Sequence, residues 1–320
     1  MFRYALKRRE RGARSKKQNQ GEQGDIGTFH SQNIISAVDR VKVKSHSIPL
    51  PEWRVLEDSP QDGEFNMAVD RAILIACETG RVPPTLRLYG WDRPTLSVGY
   101  AQDLSKEIET GRCRELNIPV VRRPTGGRAL LHYQEVTYSF IAPIPHPEFP
   151  SSLLGTYRKI AQALLAGLRH VDVQNAALAP VRGRSRAGDS FRSPSCLASL
   201  NHGEIEVQGA KLIGSAQRRT NRAFLQHGSI LIRCDRTLMH SLLKFSHASS
   251  RFNSVEALKQ KVTTLSECLG REISFKEVAQ AMLEGFRQTF QGEWVCGHLT
   301  PFEQSYCASR TQMNRVAIAP

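Results

Sequence analysis

This 320-residue sequence predicts a mixed α/β (α+β) fold, a β-sheet flanked by helices, with a small helical lobe at its C-terminal end. Three observations lead there. Short runs rich in Val, Ile, Leu and aromatic residues, bounded by Gly, Pro and Asp, recur between residues 85 and 232. Amphipathic helical segments interrupt them without regular βαβ alternation, so the body reads as α/β or α+β. Beyond Asp235 every remaining pattern has helical period.

In chain order, residues 64–77 place Phe65, Ala68, Val69, Ala72, Ile73 and Ala76 on one helical face, and Gly80 with Pro83 and Pro84 ends the helix. Strands are expected at 85–89 and 95–100, separated by the turn residues Asp92, Arg93 and Pro94. A polar helix over 103–116 leads to strands at 118–122 and 136–141, with a glycine-bearing turn between them. Leu153, Leu154, Tyr157, Ile160, Leu164 and Leu168 recur at helical spacing over 151–169. An Arg/Gly/Ser-rich loop over 180–194 follows. Residues 204–207 and 211–216 then read as a hairpin about Gln208, Gly209 and Ala210, and 224–232 as a further strand. Helices are expected at 237–245, 255–260 and 278–290, the last opened by Ser274 and Glu277 as a capping box.

Charge and composition divide the chain into an N-terminal extension at 1–48, a catalytic domain at 49–235 and a helical lobe at 236–320. The net charge is +14, yet residues 1–50 hold 11 Lys or Arg against 4 Asp or Glu, half of the surplus. So polar a stretch buries too little apolar surface to offset chain entropy, and a solvated tail is expected. A nucleic-acid or membrane-surface arm is the alternative, nucleic-acid binding being marked by steep salt dependence. The 40% hydrophobic content supports a sizeable core and excludes a disordered chain. Seven scattered cysteines without a C-x-x-C pair exclude zinc-ribbon and thioredoxin chemistry and argue against a disulfide scaffold. No apolar run approaches the roughly 18–20 residues of a membrane span, and no apolar stretch follows the basic N-terminus as in a secretory signal. A soluble protein of the reducing cytoplasm, with no membrane partner, is the expectation.

Two stretches carry candidate chemistry. In Arg122-Arg123-Pro124-Thr125-Gly126-Gly127-Arg128, between two strands, a glycine pair lets backbone lie against a ligand and arginines supply fixed charge for a phosphate or carboxylate. The same residues also suit a tight turn with solvated arginines, and His132 suits a hydrogen-bonded structural role as well as a catalytic one. The glycine spacing matches neither a P-loop nor a dinucleotide fingerprint. The second stretch, Ser193-Pro194-Ser195-Cys196, is followed fifteen residues later by Lys211 in Gly209-Ala210-Lys211-Leu212-Ile213-Gly214-Ser215-Ala216. A thiol accepts an acyl group as thiolate, and a neighbouring ammonium favours that form. Taken singly, a cysteine is more often a small buried hydrophobe.

Four segments in order resemble the biotin/lipoate protein ligase and octanoyltransferase superfamily: 122–132 with 136–141, 209–219, 226–232, and upstream Phe65-Asn66-Met67-Ala68 with Leu96-Ser97-Val98-Gly99. The resemblance spans about 52–235 and weakens toward 310. It implies a class II biotin/lipoate ligase-like sheet with a tunnel for an acyl chain. Within the family the chain is most similar to cysteine-dependent octanoyltransferases acting on glycine-cleavage H protein. Cys196 matches their nucleophile, which ATP-dependent lipoate ligases usually lack, whereas Lys211 matches both. The implied roles are Cys196 and Lys211 in catalysis, Gly126 and Gly127 as a tunnel wall, and Arg122, Arg123 and His132 orienting the polar end of the substrate. Gly214, Ser215 and Ala216 join the substrate site. The resemblance further implies an acyl carrier protein as donor, H protein or another lipoyl domain as acceptor, a monomer, no nucleic acid, and no cofactor. ATP and magnesium enter only under the lipoate–protein ligase alternative. Residues 197–202 depart from the family pattern and residues 1–48 have no counterpart in it.

Overall fold

In the three central strands, alternate residues point to opposite faces, and this alternation organises the molecule. The computed structural model describes residues 51–179, 204–245 and 254–316. The expected N-terminal extension, 1–48, lies outside the described residues, as does the Arg/Gly/Ser-rich segment 180–194. Strands β1 (Glu52–Glu57), β2 (Thr85–Tyr89), β6 (Glu135–Pro143), β7 (Ala176–Leu178), β8 (Ile205–Val207), β9 (Ala210–Arg219), β10 (Ala223–Leu231) and β11 (Glu293–Cys296) form one eight-stranded sheet, ordered β11-β1-β2-β6-β10-β9-β8-β7. β1 pairs in parallel with β11 and β2, and the other pairs are antiparallel, so the sheet is mixed as expected. A smaller sheet, β4-β3-β5, joins Val120–Arg122, Thr95–Val98 and Leu130–His132.

On one face of the large sheet, Leu86, Leu88, Val136, Tyr138, Phe140, Phe224 and Ile230 pack against α4 (Leu153–Arg169) and α8 (Phe275–Thr289). Phe140 stacks on Phe286 and Phe290 at 5.3 Å, so an aromatic column ties α8 to the central strand. On the other face, Ile141, Ala223 and Leu225 meet α1 (Gly63–Glu78) and Cys307 of α9 (Pro301–Arg310). Most of the remaining positions of that second face on the central strands are polar, and they build the site described below.

Several elements differ from the sequence reading for local reasons. The helix expected at 103–116 is two helices, α2 (Leu104–Glu107) and α3 (Thr110–Glu115). Ile108 between them takes extended backbone, is fully buried and bridges to Leu243. Ser274 caps α8 through the Glu277 amide, but the Glu277 carboxylate pairs with Arg271, so only half of the expected capping box forms. Complete boxes occur instead at Thr264–Glu267 and Thr300–Glu303. At the hairpin, Gln208 and Gly209 both have positive φ, as a two-residue turn with right-handed strand twist requires.

The C-terminal lobe expected at 236–320 is not separate. After the short helices α5 (Arg236–Ser241), α6 (Val255–Lys261) and α7 (Leu265–Leu269), α8 enters the main core and β11 extends the large sheet beside β1. The described residues on either side of the expected boundary belong to one compact unit. Four-residue β11 is too short to register as a strand by periodicity, and helices that pack on another element's core carry the same pattern as helices of their own lobe.

Candidate active site

The second face of the large sheet is lined by polar residues at every other position: Thr85 and Arg87 on β2, Glu135, Thr137 and Ser139 on β6, His227 and Ser229 on β10. All are buried. Buried polar groups cost free energy unless hydrogen-bonded, so this stripe must be an internally bonded network or a binding site. It is both. A small cavity lies over it, lined by Met67, Tyr89, Trp91 and Leu130 on its apolar side, and by Ser97, Arg123, His132, Thr137, His227 and Ser229. Gly214, Ser215, Ala216 and Gly228 supply the remaining wall from β9 and β10. An apolar hollow with a few convergent polar groups is the usual form of a small-molecule site.

His132, at the end of β5, stacks on Trp91 with ring centroids 4.0 Å apart. Its Nδ1 is 2.8 Å from Glu135 Oε1 and its Nε2 is 2.7 Å from Ser97 Oγ. Ser97 Oγ accepts from Arg123 Nη1 at 3.0 Å, which leaves the serine proton to His132 Nε2 and assigns the imidazole proton to Nδ1. Glu135 Oε1 also accepts from Thr137 and Ser229. Burial works to raise the Glu135 pKa, but the charge and hydrogen bond of His132, with the two hydroxyls, hold it below the ordinary carboxylate value. His132 therefore sits within a bonded constellation rather than alone.

The Arg122–Arg128 segment forms a turn in which Arg123 is buried and Arg122 half-buried. Arg123 is 5% exposed and spreads its fork over the carbonyls of Ser97, Gly126 and Arg128, all within 3.2 Å. Gly127 has φ +91°, and a Cβ on Gly99 would stand 2.1 Å from the Gly127 carbonyl, so the turn closes directly on the end of β3. Arg122 donates to the carbonyls of Gly99, Tyr100 and Gln102. Consequently Arg122, Gly126 and Gly127 do not line the cavity: of the expected substrate contacts in this segment, only Arg123 and His132 do. The other three shape the wall from behind, because a guanidinium surrounded by backbone carbonyls is already committed to the turn.

A second buried histidine anchors the same turn. His227 is bonded to Thr125 Oγ1 at 2.7 Å through Nε2 and to Asp70 Oδ2 at 3.0 Å through Nδ1. Asp70, fully buried on α1, also accepts from Arg87 at 3.0 Å and Tyr89 at 3.1 Å. Burial lowers the His227 pKa, Asp70 opposing it and Arg123 and His132 adding to it.

Lys211 on β9 is fully buried and ion-paired with Glu204, itself 1% exposed. Gly214, directly across from Ser229, lacks a side chain, and Lys211 Cε and Nζ lie 2.8 and 3.1 Å from where its Cβ would stand. The ammonium thus lies against a wall residue of the cavity. Cys196 lies outside the described residues. Of the described cysteines, all free, burial pushes the thiol of Cys77 up to about 12 and those of Cys113, Cys234 and Cys307 to about 11. None of these four is poised as a thiolate. Among the described residues no group of three or more His, Cys, Asp or Glu side chains could hold a metal ion, and no helix is long and apolar enough to cross a membrane.

The sequence reading missed Asp70, Glu135, His227, Ser97, Trp91 and Glu204. A signal was present: Glu135-Val-Thr-Tyr-Ser-Phe and His227-Gly-Ser-Ile alternate polar with apolar residues in strands flanked by helical segments on both sides. A polar stripe on a covered face marks a site, whereas the same stripe on an open face is solvated surface.

Residues 62–287 match the lipoyl protein ligase A/B catalytic domain family. Octanoyltransferase LipM of Kyrpidia tusciae is 39% identical over 256 residues, covering 80% of this chain and 93% of the relative. Octanoyltransferase LipM of Bacillus subtilis is 35% identical over 256 residues, 79% of this chain and 90% of the relative. Among solved structures, a lipoate-protein ligase A bound with ATP matches with a TM-score of 0.66 at 21% identity, covering 82% of this chain and 94% of its own. The bi-partite lipoate protein ligase from Thermoplasma acidophilum matches with a TM-score of 0.61 at 21% identity, over 82% of this chain and 92% of that one. At that identity the two structures bear on the fold alone.

Proposed function

Since the chain belongs to the lipoyl protein ligase A/B catalytic domain family, we propose that it is an octanoyltransferase of lipoate biosynthesis. The observation that carries this reading is the likeness to octanoyltransferases over nine-tenths of their length, in a chain whose buried Lys211 ammonium abuts the wall of an apolar-sided cavity. The octanoyl group arrives as a thioester on acyl carrier protein. Cys196 thiolate attacks its carbonyl carbon, the C–S bond to the carrier breaks, and a thioester on Cys196 forms. One thioester replaces another, so the step is close to thermoneutral and calls for no nucleotide. A lysine amine of the acceptor, glycine-cleavage H protein or another lipoyl domain, then attacks, giving a stable amide and freeing Cys196.

Lys211 serves this chemistry in two ways. Its positive charge favours the Cys196 thiolate, and its N–H groups offer hydrogen bonds to the oxyanion of each tetrahedral intermediate. Glu204 is the buried carboxylate paired with this ammonium. Trp91, Met67, Tyr89 and Leu130 offer the apolar surface an acyl chain needs. A reduced thiol is required throughout, which suits the reducing cytoplasm.

The test is octanoylation of purified H protein by the full-length chain. Transfer from octanoyl-acyl carrier protein without nucleotide, with an octanoyl adduct on Cys196 seen by mass spectrometry, supports the reading. A Cys196→Ser variant retaining full activity would exclude the acyl-enzyme, because an alkoxide is far harder to form than a thiolate near neutral pH. Transfer only from free acid with ATP and magnesium would make the chain a lipoate–protein ligase instead.

A further inference from the structure

The overall transfer releases a proton that the acyl-enzyme chemistry leaves unassigned. A lysine acceptor enters as ammonium at neutral pH, since its ordinary pKa is about 10.4. Converting thioester and ammonium to amide and thiol therefore yields one extra proton. It must leave the amine before the C–N bond can form. A positioned base commonly accelerates such a step by about 10²–10⁴-fold.

Two buried histidine–carboxylate pairs border the cavity, and their surroundings differ. Asp70, behind His227, accepts from Arg87 at 3.0 Å, and Arg87 is paired also with Asp58. The second nitrogen of His227, Nε2, is bonded to Thr125 Oγ1, which does not line the cavity. Glu135, behind His132, is 2% exposed, and among the described residues its only basic hydrogen-bond or ion-pair partner is His132. Its second oxygen, Oε2, is buried with no hydrogen-bond partner among the described residues. A buried carboxylate so placed gains most from a cation on His132. The other titratable groups facing the pair are Arg123 through Ser97, His227 across the cavity, Tyr89, and Cys234. Ser97 Oγ, on the cavity wall, provides the bridge: it donates to His132 Nε2 and can pass on a proton taken from the cavity side.

We propose that His132, oriented by Glu135 and reached through Ser97, is the general base of the amine-transfer half-reaction. This rests on the octanoyl-transfer reading. His132 Nε2 takes the proton shed by the acceptor ammonium. The neutral amine attacks the thioester carbon, the C–N bond forms, the C–S bond breaks, and the second amine proton passes to the departing Cys196 sulfur. The imidazolium, held against Glu135, returns its proton to solvent when the acceptor leaves.

The experiment is single-turnover discharge of octanoyl-enzyme, preformed on the full-length chain, to H protein or to hydroxylamine, which is already neutral at pH 7. Glu135→Gln and Ser97→Ala are compared with the unaltered chain, with thermal melting to verify folding. Ser97→Ala leaves the buried charge pair in place, so it serves where Glu135→Gln does not fold. Transfer to lysine is expected to slow at least tenfold, while discharge by hydroxylamine stays within about threefold. Unchanged transfer to lysine in both variants overturns the assignment, as does an equal loss with both nucleophiles, which marks a purely structural role. If the unaltered chain forms no octanoyl adduct at all, the octanoyl-transfer reading itself fails, and this assignment falls with it.

Discussion

Replacing Asp70 by Asn tests how the Arg122–Arg128 turn is held over the cavity. Asp70 takes hydrogen bonds from Arg87 at 3.0 Å, His227 at 3.0 Å and Tyr89 at 3.1 Å, all buried. An amide keeps one oxygen, best placed on Arg87, and turns an N–H₂ toward His227. The imidazole must then switch its proton from Nδ1 to Nε2 and donate to Thr125, which preserves geometry but not charge. Breaking a buried ion pair from one side costs about 3–5 kcal/mol. Arg87 retains Asp58 at 2.6 Å, so the lower end, about 3 kcal/mol, is expected here. At about 2–4 °C per kcal/mol for a chain of this size, Tm should fall by roughly 6–12 °C. The sign with pH is fixed as well. Burial opposes the Asp70 charge, but His227 and Arg87 outweigh it and hold the carboxyl below its ordinary value. A depressed pKa contributes stability that is complete above the unfolded value of about 4 and is lost as pH falls through the folded one. Thermal or urea unfolding of both proteins should therefore show the full gap at pH 7 and a closing gap below pH ~4. A gap under about 1 kcal/mol at pH 7, or one that widens in acid, would refute the electrostatic account of this anchor.

Three further perturbations address the same architecture. Gly99→Ala places a methyl 2.1 Å from the Gly127 carbonyl, backbone that has nowhere to go, and should cost more than about 2 kcal/mol with loss of transfer activity, read by urea unfolding and the transfer assay. Gly214→Val drives the Lys211 head, whose Cε and Nζ lie 2.8 and 3.1 Å from the new Cβ, off the cavity wall; acyl-enzyme formation should drop by at least about 100-fold in a protein that remains folded by circular dichroism. Glu303→Gln breaks the bidentate contact to Arg54 at 2.6 and 3.0 Å, which joins α9 to β1 inside the core. It should cost about 3–5 kcal/mol, measured by urea unfolding, and the retention of wild-type stability would show that α9 is held by apolar packing alone.

The alternation of the central strands shows how far a sequence can be read. Residues 85–89, 136–141 and 224–232 were legible as strands because they are short runs rich in aliphatic and aromatic residues, and the helices at 64–77 and 151–169 because their apolar residues recur at period 3.6. The strand Glu293–Cys296 was not. So short and exposed a piece is held extended by its pairing with β1 from the opposite end of the chain, Glu293 beside Glu52 and Cys296 beside Val55. Arg122 and Arg123 are adjacent and alike in sequence, yet one ties down the Gly99–Gln102 carbonyls and the other reaches the cavity, a difference set by which side of β4's end each leaves from.

By itself the sequence determined the strands and helices of the catalytic domain and the family motifs. Local propensity and side-chain period are properties of neighbours along the chain, so they survive in the one-dimensional record. Only the tertiary structure decided that Glu135 faces His132, that Asp70 reaches His227 across 157 residues, and that α8 and β11 of the segment after Asp235 join the main core and sheet rather than standing apart. Those outcomes follow from burial: once strands from distant segments share one covered face, their polar residues must find one another, and the partners available are those that folding has brought within hydrogen-bond reach.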